Sequence, residues 1–439
     1  MKSDPFEYFD FRGKKTAIVS LGCARNTVDS QVFLQQARKR GAVVSSAQDA
    51  QVVMINTCGF TREAKEESLG VIAEWLDHKK KGRTENVLVL GCLAERYRKD
   101  IRQGYKDIDV VGGLVPETDV RQSGGPVVLL TPRHYAYLKI SEGCDNRCTY
   151  CAIPLIKGRS RSRSEAEIIE EAVRLERCGV RELNIVGQDI TLYGCDDRKK
   201  RPGRSSRPGL PLVGLMEKIL HETSIPWIRL MYLHPQRVGE DVMELLGRQD
   251  RLCPYVDLPL QHINDRILRR MGRPTRRQEI IRLLSALRNR VPSIALRTTF
   301  IVGFPGETKK EFRELMDFVR EARFDKLGAF MFSREEGTRA YGYRGQVPRK
   351  EKERRYHELM EAQKGISLSL LEKKIGRTVP VLVEEATRDR RMYLARTPWD
   401  APEVDGLVYL ASPNKLRPGQ IVRCRITDAL EYDLAGETI

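Results

Sequence analysis

Six of the ten cysteines fall into two groups whose spacing suits metal chemistry. Cys144, Cys148 and Cys151 lie within the segment Ser141-Glu-Gly-Cys-Asp-Asn-Arg-Cys-Thr-Tyr-Cys-Ala-Ile-Pro154, while Cys23, Cys58 and Cys92 are dispersed, each ending an apolar run that reads as a β-strand. Three thiolates hold three irons of a cubane cluster and leave the fourth open to another ligand. The two groups therefore predict two open-site iron–sulfur clusters in one active centre. Zinc is the rival for the compact group, but a structural zinc takes four ligands, usually in paired CxxC or Cys/His elements, and no such partner follows closely. Each dispersed cysteine, taken alone, reads equally well as a buried thiol.

The elements that would position these groups follow from hydrophobic periodicity. Lys15–Leu21, Gln51–Asn56 and Asn86–Leu90 are short apolar runs separated by helical stretches near Asp29–Arg40 and Thr61–Lys80. That alternation predicts a doubly wound α/β domain over residues 14–125. Ligands of such sheets sit beyond the carboxyl ends of the strands, where all three dispersed cysteines fall. Over residues 130–372 the alternation continues through Tyr135–Ile140, Glu182–Val186, Ile228–Tyr232, Tyr255–Leu258, Leu296–Val302 and Lys326–Met331. Six such units suit a partial (β/α) barrel with its site at the carboxyl ends of its strands, the compact cysteines following the first strand. Asp196–Pro208 reads as an exposed insertion and Pro348–Lys374 as a connecting helix with a solvated charged face. From residue 375 to 439 the period changes to two, predicting a small antiparallel β-barrel of OB-fold size.

At 439 residues the chain has room for two to four domains. No apolar run approaches a membrane span and the start lacks a signal-peptide core, so a soluble cytoplasmic protein without a membrane partner is expected. In that reducing compartment grouped cysteines mean metal or redox chemistry more often than disulfides. The formal charge of +17 points to an anionic partner such as RNA or a ribosome. Cys178, Cys195, Cys253 and Cys424 read as packing residues. His134, His234 and His262 read as core or capping residues near the site.

The compact loop resembles the radical S-adenosylmethionine (SAM) superfamily. The resemblance implies that Cys144, Cys148 and Cys151 bind a [4Fe-4S] cluster whose open iron chelates SAM, which one-electron reduction then cleaves to a 5′-deoxyadenosyl radical. Ile301-Val-Gly-Phe-Pro-Gly-Glu-Thr308 is similar to the glycine-containing strand end that lines SAM there, which makes Gly303, Phe304, Pro305 and Gly306 candidate contacts, although the same residues also suit a plain turn. Gln188 and Asp189, just past a strand, are candidates for the SAM ribose, with a helix N-cap as the other role of Asp189.

Ser20–Ser30, Asn56-Thr-Cys-Gly-Phe60 and Leu90-Gly-Cys92 resemble the auxiliary-cluster domain of methylthiotransferases, and the resemblance spans about Lys14 to Gly436. It implies a second [4Fe-4S] cluster on Cys23, Cys58 and Cys92, and a terminal TRAM domain. Within that family the tRNA-modifying, MiaB-like enzymes typically carry Gly-Cys-Gln-Met-Asn at the first cysteine. Gly22-Cys-Ala-Arg-Asn26, Cys58-Gly-Phe60, Tyr232-Leu-His-Pro235 and Pro402-Glu-Val-Asp-Gly406 instead resemble the RimO type, which implies methylthiolation of the β-carbon of an aspartate in small-subunit ribosomal protein twelve. An electron donor such as flavodoxin or ferredoxin and a sulfur donor are then implied partners. Gln31 departs from the usual Glu. The terminal barrel holds nine Lys/Arg against ten Asp/Glu, a balance better suited to docking a basic protein than an RNA backbone. Its carboxylates Glu384, Glu385, Asp400, Glu403 and Asp405 are the expected docking groups. Two other readings are a tRNA adenosine methylthiotransferase and, from another class, a non-catalytic iron–sulfur protein that binds RNA or senses redox state.

Overall fold

A computed structural model describes residues 6–7, 9–115, 128–196, 210–388 and 392–439. Strands β1 (Lys15–Ser20), β2 (Val43–Val44), β3 (Val52–Thr57), β4 (Asn86–Leu90) and β5 (Val110–Val111) form a wholly parallel sheet in the order β2-β1-β3-β4-β5. Alternate side chains of a strand point to opposite faces, and β3 supplies both. Val53 and Ile55 pack with Ile72 and Leu76 of α2 (Arg62–Lys80), while Val52 and Met54 pack with Phe33 and Leu34 of α1 (Ala24–Lys39). Helices on both faces explain why β3 is apolar throughout. In a sheet of this order the chain changes direction between β1 and β3, and ligands bind at that switch point.

A second parallel sheet begins with β6 (Tyr135–Lys139). The hairpin of β7 (Ser141–Glu142) and β8 (Arg161–Ser162) closes the base of the compact cysteine loop. The sheet continues through β9 (Glu182–Val186), β10 (Trp227–Leu230), β11 (Leu252–Gln261), β12 (Ala295–Val302) and β13 (Lys326–Met331), each beside its predecessor, as in a partial barrel. Capping boxes at Ser164/Glu167 and Thr308/Glu311 start two of the covering helices. The helix Arg349–Glu372 then leads to the terminal domain.

There β14 (Thr378–Ala386), β15 (Met392–Arg396), β16 (Val408–Ala411), β17 (Ile421–Ala429) and β18 (Leu434–Thr438) close into a barrel in the order β14-β15-β16-β18-β17. Four of its five ladders are antiparallel as expected, and the exception is β16 with β18, which pair in parallel. A period of two reports alternating faces and carries no information on strand direction.

The three parts meet on the inner side of the partial barrel, where Val28 of α1 packs in one cluster with Tyr135, Tyr137 and Tyr255 and with Leu382 and Ala401 of the terminal domain. Asp29 of α1 pairs with Lys139 of β6 and, at 2.7 Å, with Lys157, and the three side chains are at most 5% exposed. Glu182 of β9 lies fully buried between Arg229 and Arg396, the latter from β15. Removing one partner of such a group leaves an uncompensated buried charge, which typically costs about 3–5 kcal/mol.

The barrel carboxylates expected to dock a substrate are mostly committed within the chain. Glu384 pairs with His134 at 2.7 Å, Asp400 with Lys326 at 2.5 Å and Asp405 with Arg297 at 3.4 Å, while Glu403 accepts hydrogen bonds from Tyr135 and Tyr137. Four of the five thus have partners in the chain's own core, Glu403 while itself exposed, and Glu385 shows no such contact among the described residues. Two cysteines are corrected. Cys178 is exposed at a helix C-terminus and Cys195 is half-buried, whereas Cys253 and Cys424 are buried as expected. Residues 197–208 of the expected insertion lie outside the described residues; Asp196 accepts from Ser162. Among the described residues no helix is long and apolar enough to cross a membrane.

Candidate active site

Cys23 caps the N-terminus of α1, Cys58 directly follows β3, and Cys92 lies in the first turn of α3 (Gly91–Arg96), after β4. All three are therefore at the carboxyl rim of one sheet. Two glycines let the loops touch. At Gly22 (φ +92°) a Cβ would lie 2.9 Å from Cys58 Cβ, and at Gly91 (φ +89°) it would lie 2.0 Å from Asn56 Oδ1 and 2.8 Å from the Thr57 carbonyl. Buried amides lace the loops together. Asn26 Nδ2 donates to the carbonyls of Leu21 and Thr57 at 2.9 and 3.1 Å, and Asn56 Nδ2 donates to the Asn26 carbonyl at 2.8 Å. The Cys92 thiol faces Asn26 Oδ1 at 3.5 Å. Burial raises the Cys58 thiol and pushes Cys92 up to about 12. Burial opposes ionisation of Cys23 as well, but the Arg25 guanidinium beside it holds that thiol below the ordinary range.

The compact loop is pinned at both ends and in the middle. Cys144 N–H donates to the Gly158 carbonyl at 3.2 Å, Cys151 N–H to the Cys148 carbonyl at 3.3 Å, and Thr149 N–H to Met271 at 2.8 Å. Backbone Asn146 N–H points at Cys144 Sγ at 3.4 Å, and Arg273 reaches Cys148 Sγ at 3.9 Å. Burial pushes the thiols of Cys144 and Cys151 up to about 11 and 12. N–H groups and guanidinium donors aimed at sulfur are what a negatively charged cluster requires of its surroundings. Among the described residues no three His, Cys, Asp or Glu side chains are placed to hold a single ion. The fit to a cluster rests on donor type and on these sulfur-directed donors.

All three compact cysteines line a cavity at the carboxyl ends of the strands, and Arg25 and Phe60, next to Cys23 and Cys58, line its other side. Gln188 and Asp189 also line it. Gln188 Nε2 donates to Glu142 at 2.5 Å while its buried Oε1 has no partner among the described residues. Asp189 both faces the cavity and caps the turn Ile190–Leu192, and its carboxylate binds Asn146 and Arg237. Gly303, Phe304, Pro305 and Gly306 are not brought to the cavity. Phe304 is buried against Phe332 and Tyr343, at ring distances of 5.3 and 6.2 Å, and its N–H donates to Glu307. His234 lines the cavity with its Nδ1 accepting from Gln236 N–H, and burial, with Arg273 and Arg237 nearby, keeps it neutral. His262 Nδ1 accepts from Asn264 N–H, and burial lowers that imidazole to about 3.

Sequence reasoning passed over Arg25 and Gln261 as cavity residues and quoted Tyr232 only within a signature. Tyr232 (φ +62°) and Gln261 (φ +73°) are two of the four non-glycine residues of positive φ among the described residues, and both line the cavity. Such strain is held at functional sites when the surrounding structure over-determines it. No sequence signal marks it.

The chain matches the radical SAM superfamily over residues 138–319, the TRAM domain over 375–439 and a family described as uncharacterized protein family UPF0004 over 15–113. It is 39% identical to a protein of Syntrophotalea carbinolica named ribosomal protein uS12 methylthiotransferase RimO, with 97% of each chain covered. Proteins of the same name from Pelotomaculum thermopropionicum and Sorangium cellulosum are 42% and 41% identical, covering 97% of this chain and 100% and 91% of theirs. Among solved structures, the radical SAM methyltransferase TsrM from Kitasatospora setae, with tryptophan and a SAM analogue bound, superposes with a TM-score of 0.51 at 15% identity, over 72% of this chain and 73% of that one. This last likeness is one of fold.

Proposed function

The chain belongs to the ribosomal protein uS12 methylthiotransferases, the RimO family, and from that premise we propose that it transfers a methylthio group to the β-carbon of an aspartate in ribosomal protein uS12. Cys144, Cys148 and Cys151 would hold the [4Fe-4S] cluster that binds SAM, and Cys23, Cys58 and Cys92 a second one. When bound, these groups supply a radical able to take hydrogen from an unactivated C–H bond, and the sulfur to be transferred, chemistry beyond acid–base side chains. The observation that carries the reading is the single cavity lined by the compact cysteines on one side and by Arg25 and Phe60, neighbours of the dispersed cysteines, on the other.

The chain's own residues hold and enclose. In this reading the loops at Gly22, Gly91 and Gly143 fix the sulfurs, and Gln188, through an Oε1 that has no partner among the described residues, and Asp189 orient SAM. Together Phe60 and Tyr232 give the cavity apolar and aromatic wall. A one-electron donor such as flavodoxin or ferredoxin and a sulfur donor complete the reaction. The outer side of the compact loop, a groove lined by Arg147, Arg159, Arg339 and Leu155, the last 53% exposed, suits an acidic donor protein. The reaction belongs in the cytoplasm, where thiols stay reduced and ribosomes are made.

Mass spectrometry of ribosomal proteins and tRNA from a deletion strain tests the assignment. The expected result is loss of a methylthio mark from uS12 with tRNA unchanged. Loss from tRNA alone would make the enzyme a tRNA methylthiotransferase. Purified, reconstituted protein that failed to cleave SAM under strong reductant would instead indicate a non-catalytic iron–sulfur protein.

A further inference from the structure

We infer that Arg25 recognises the carboxylate of the residue that receives the methylthio group, an inference that rests on the aspartate reading above. Arg25 is the second residue of α1 and stands between the two cysteine groups, close enough for its charge to act on both Cys23 and Cys151. Two of its nitrogens are committed: Nε faces Cys23 Sγ at 3.4 Å and Nη1 donates to the Gly187 carbonyl at 3.0 Å. Nη2 has no acceptor among the described residues, and the side chain lines the cavity. The guanidinium lies over the Tyr232 ring, 4.4 Å from its centroid, and Tyr232 is itself fixed by its left-handed backbone and by its N–H bond to Asp257 Oδ2 at 3.3 Å. A planar cation stacked on an immobile ring presents a pre-oriented edge to an anion.

Of the other cavity cations Arg237 is engaged, and Arg273 has both outer nitrogens taken and only its inner Nε without an acceptor among the described residues. Arg237 binds Asp189 and Asn146, and Arg273 donates to the Pro259 carbonyl and faces Cys148 Sγ. A carboxylate entering this space loses its hydration and needs a charged donor to replace it. Arg25 offers that donor beside Cys23, on the wall of the cavity that the compact cysteines line. The simpler role, balancing cluster charge alone, predicts no sensitivity to the chemistry of the substrate side chain.

The test uses reconstituted holoprotein and two forms of uS12, one with its target Asp and one with Asn in its place. Affinity is measured in the presence of SAM, with iron content and EPR signal recorded for every variant. Wild type should prefer the Asp form by about tenfold to a hundredfold, the worth of a charge-assisted hydrogen bond. Arg25→Gln should abolish the preference while the Asn form binds as before, and Arg25→Lys should restore part of it. Because Arg25 touches Cys23, Tyr232→Leu is a second probe that leaves the cysteine's neighbour in place, and it should reduce the preference several-fold. Equal weakening of both forms by Arg25→Gln, or an undiminished preference for Asp, would overturn the inference while leaving the aspartate reading intact. Wild type that modifies tRNA and ignores both forms of uS12 would overturn both.

Discussion

The two cysteine groups relate differently to one cavity: the compact cysteines line it themselves, whereas the dispersed ones are represented there only by their chain neighbours Arg25 and Phe60. The compact group occupies one loop whose ends and middle are held by a few backbone hydrogen bonds and one hairpin. The dispersed group exists only when β1, β3 and β4 stand side by side, since each strand delivers one cysteine. A metal site built on a local loop tolerates disturbance elsewhere in its domain. One assembled from three crossovers depends on the fold as a whole. The compact site should therefore outlast the dispersed one under mild denaturant, and the two should fail separately when each is attacked at its own supports.

The largest effect is expected from the six cysteines proposed as ligands. Replacing Cys144, Cys148 and Cys151 by Ala should abolish SAM cleavage and leave roughly half the iron, whereas replacing Cys23, Cys58 and Cys92 should remove the other half and permit abortive formation of 5′-deoxyadenosine. Either triple variant retaining full iron after anaerobic reconstitution would refute two separate sites. Next comes Asp29→Asn, which strips Lys139 and Lys157 of a buried counter-charge at the seam between the two sites. A loss of about 3–5 kcal/mol is expected in denaturant titration, together with SAM cleavage that persists as methylthiolation falls. Loss of both activities in parallel would mean that the seam supports the compact site as well. The smallest change is a single methyl on each side. A Cβ at Gly91 would lie 2.0 Å from Asn56 Oδ1, and at Gly143 (φ +76°) 2.0 Å from the Arg159 carbonyl. Each Gly→Ala variant should cost about 2–4 kcal/mol from overpacking and the left-handed backbone. Iron analysis should show Gly91→Ala depleted at the dispersed site and Gly143→Ala at the compact one.

What the sequence disclosed follows the same division. Strands β4, β9 and β13 begin and end where periodicity placed them; β4 and β9 are short buried parallel strands and so near-continuous apolar runs between polar turns, while β13 is a half-buried edge strand. The ten-residue β11 was read only as Tyr255–Leu258, since Pro254 and Pro259 interrupt the pattern. The helix after Cys23 was placed five residues late, because Ala24-Arg-Asn-Thr-Val28 lacks a capping side chain. The six cysteines were legible as two groups from spacing and strand ends. Arg25 escaped notice because its place in the cavity depends on a ring more than two hundred residues away and on a left-handed backbone at Tyr232, neither of which leaves a local trace. The terminal barrel's carboxylates were legible as charges but not as contacts, since composition counts a side chain without saying which way it faces.

That inward-facing acidity has a consequence for how the molecule can be taken apart. The terminal barrel is not a transplantable module. Separated from the core it would expose Glu384, Asp400, Glu403 and Asp405 without partners. The core would in turn leave Arg229, Arg297 and Lys326 and the hydroxyls of Tyr135, Tyr137 and Tyr255 uncovered. A chimera carrying a relative's barrel would assemble only if the donor matched this set of cations and phenols. Exchange of this domain between lineages is thus constrained by the seam as much as by whatever the outer surface recognises.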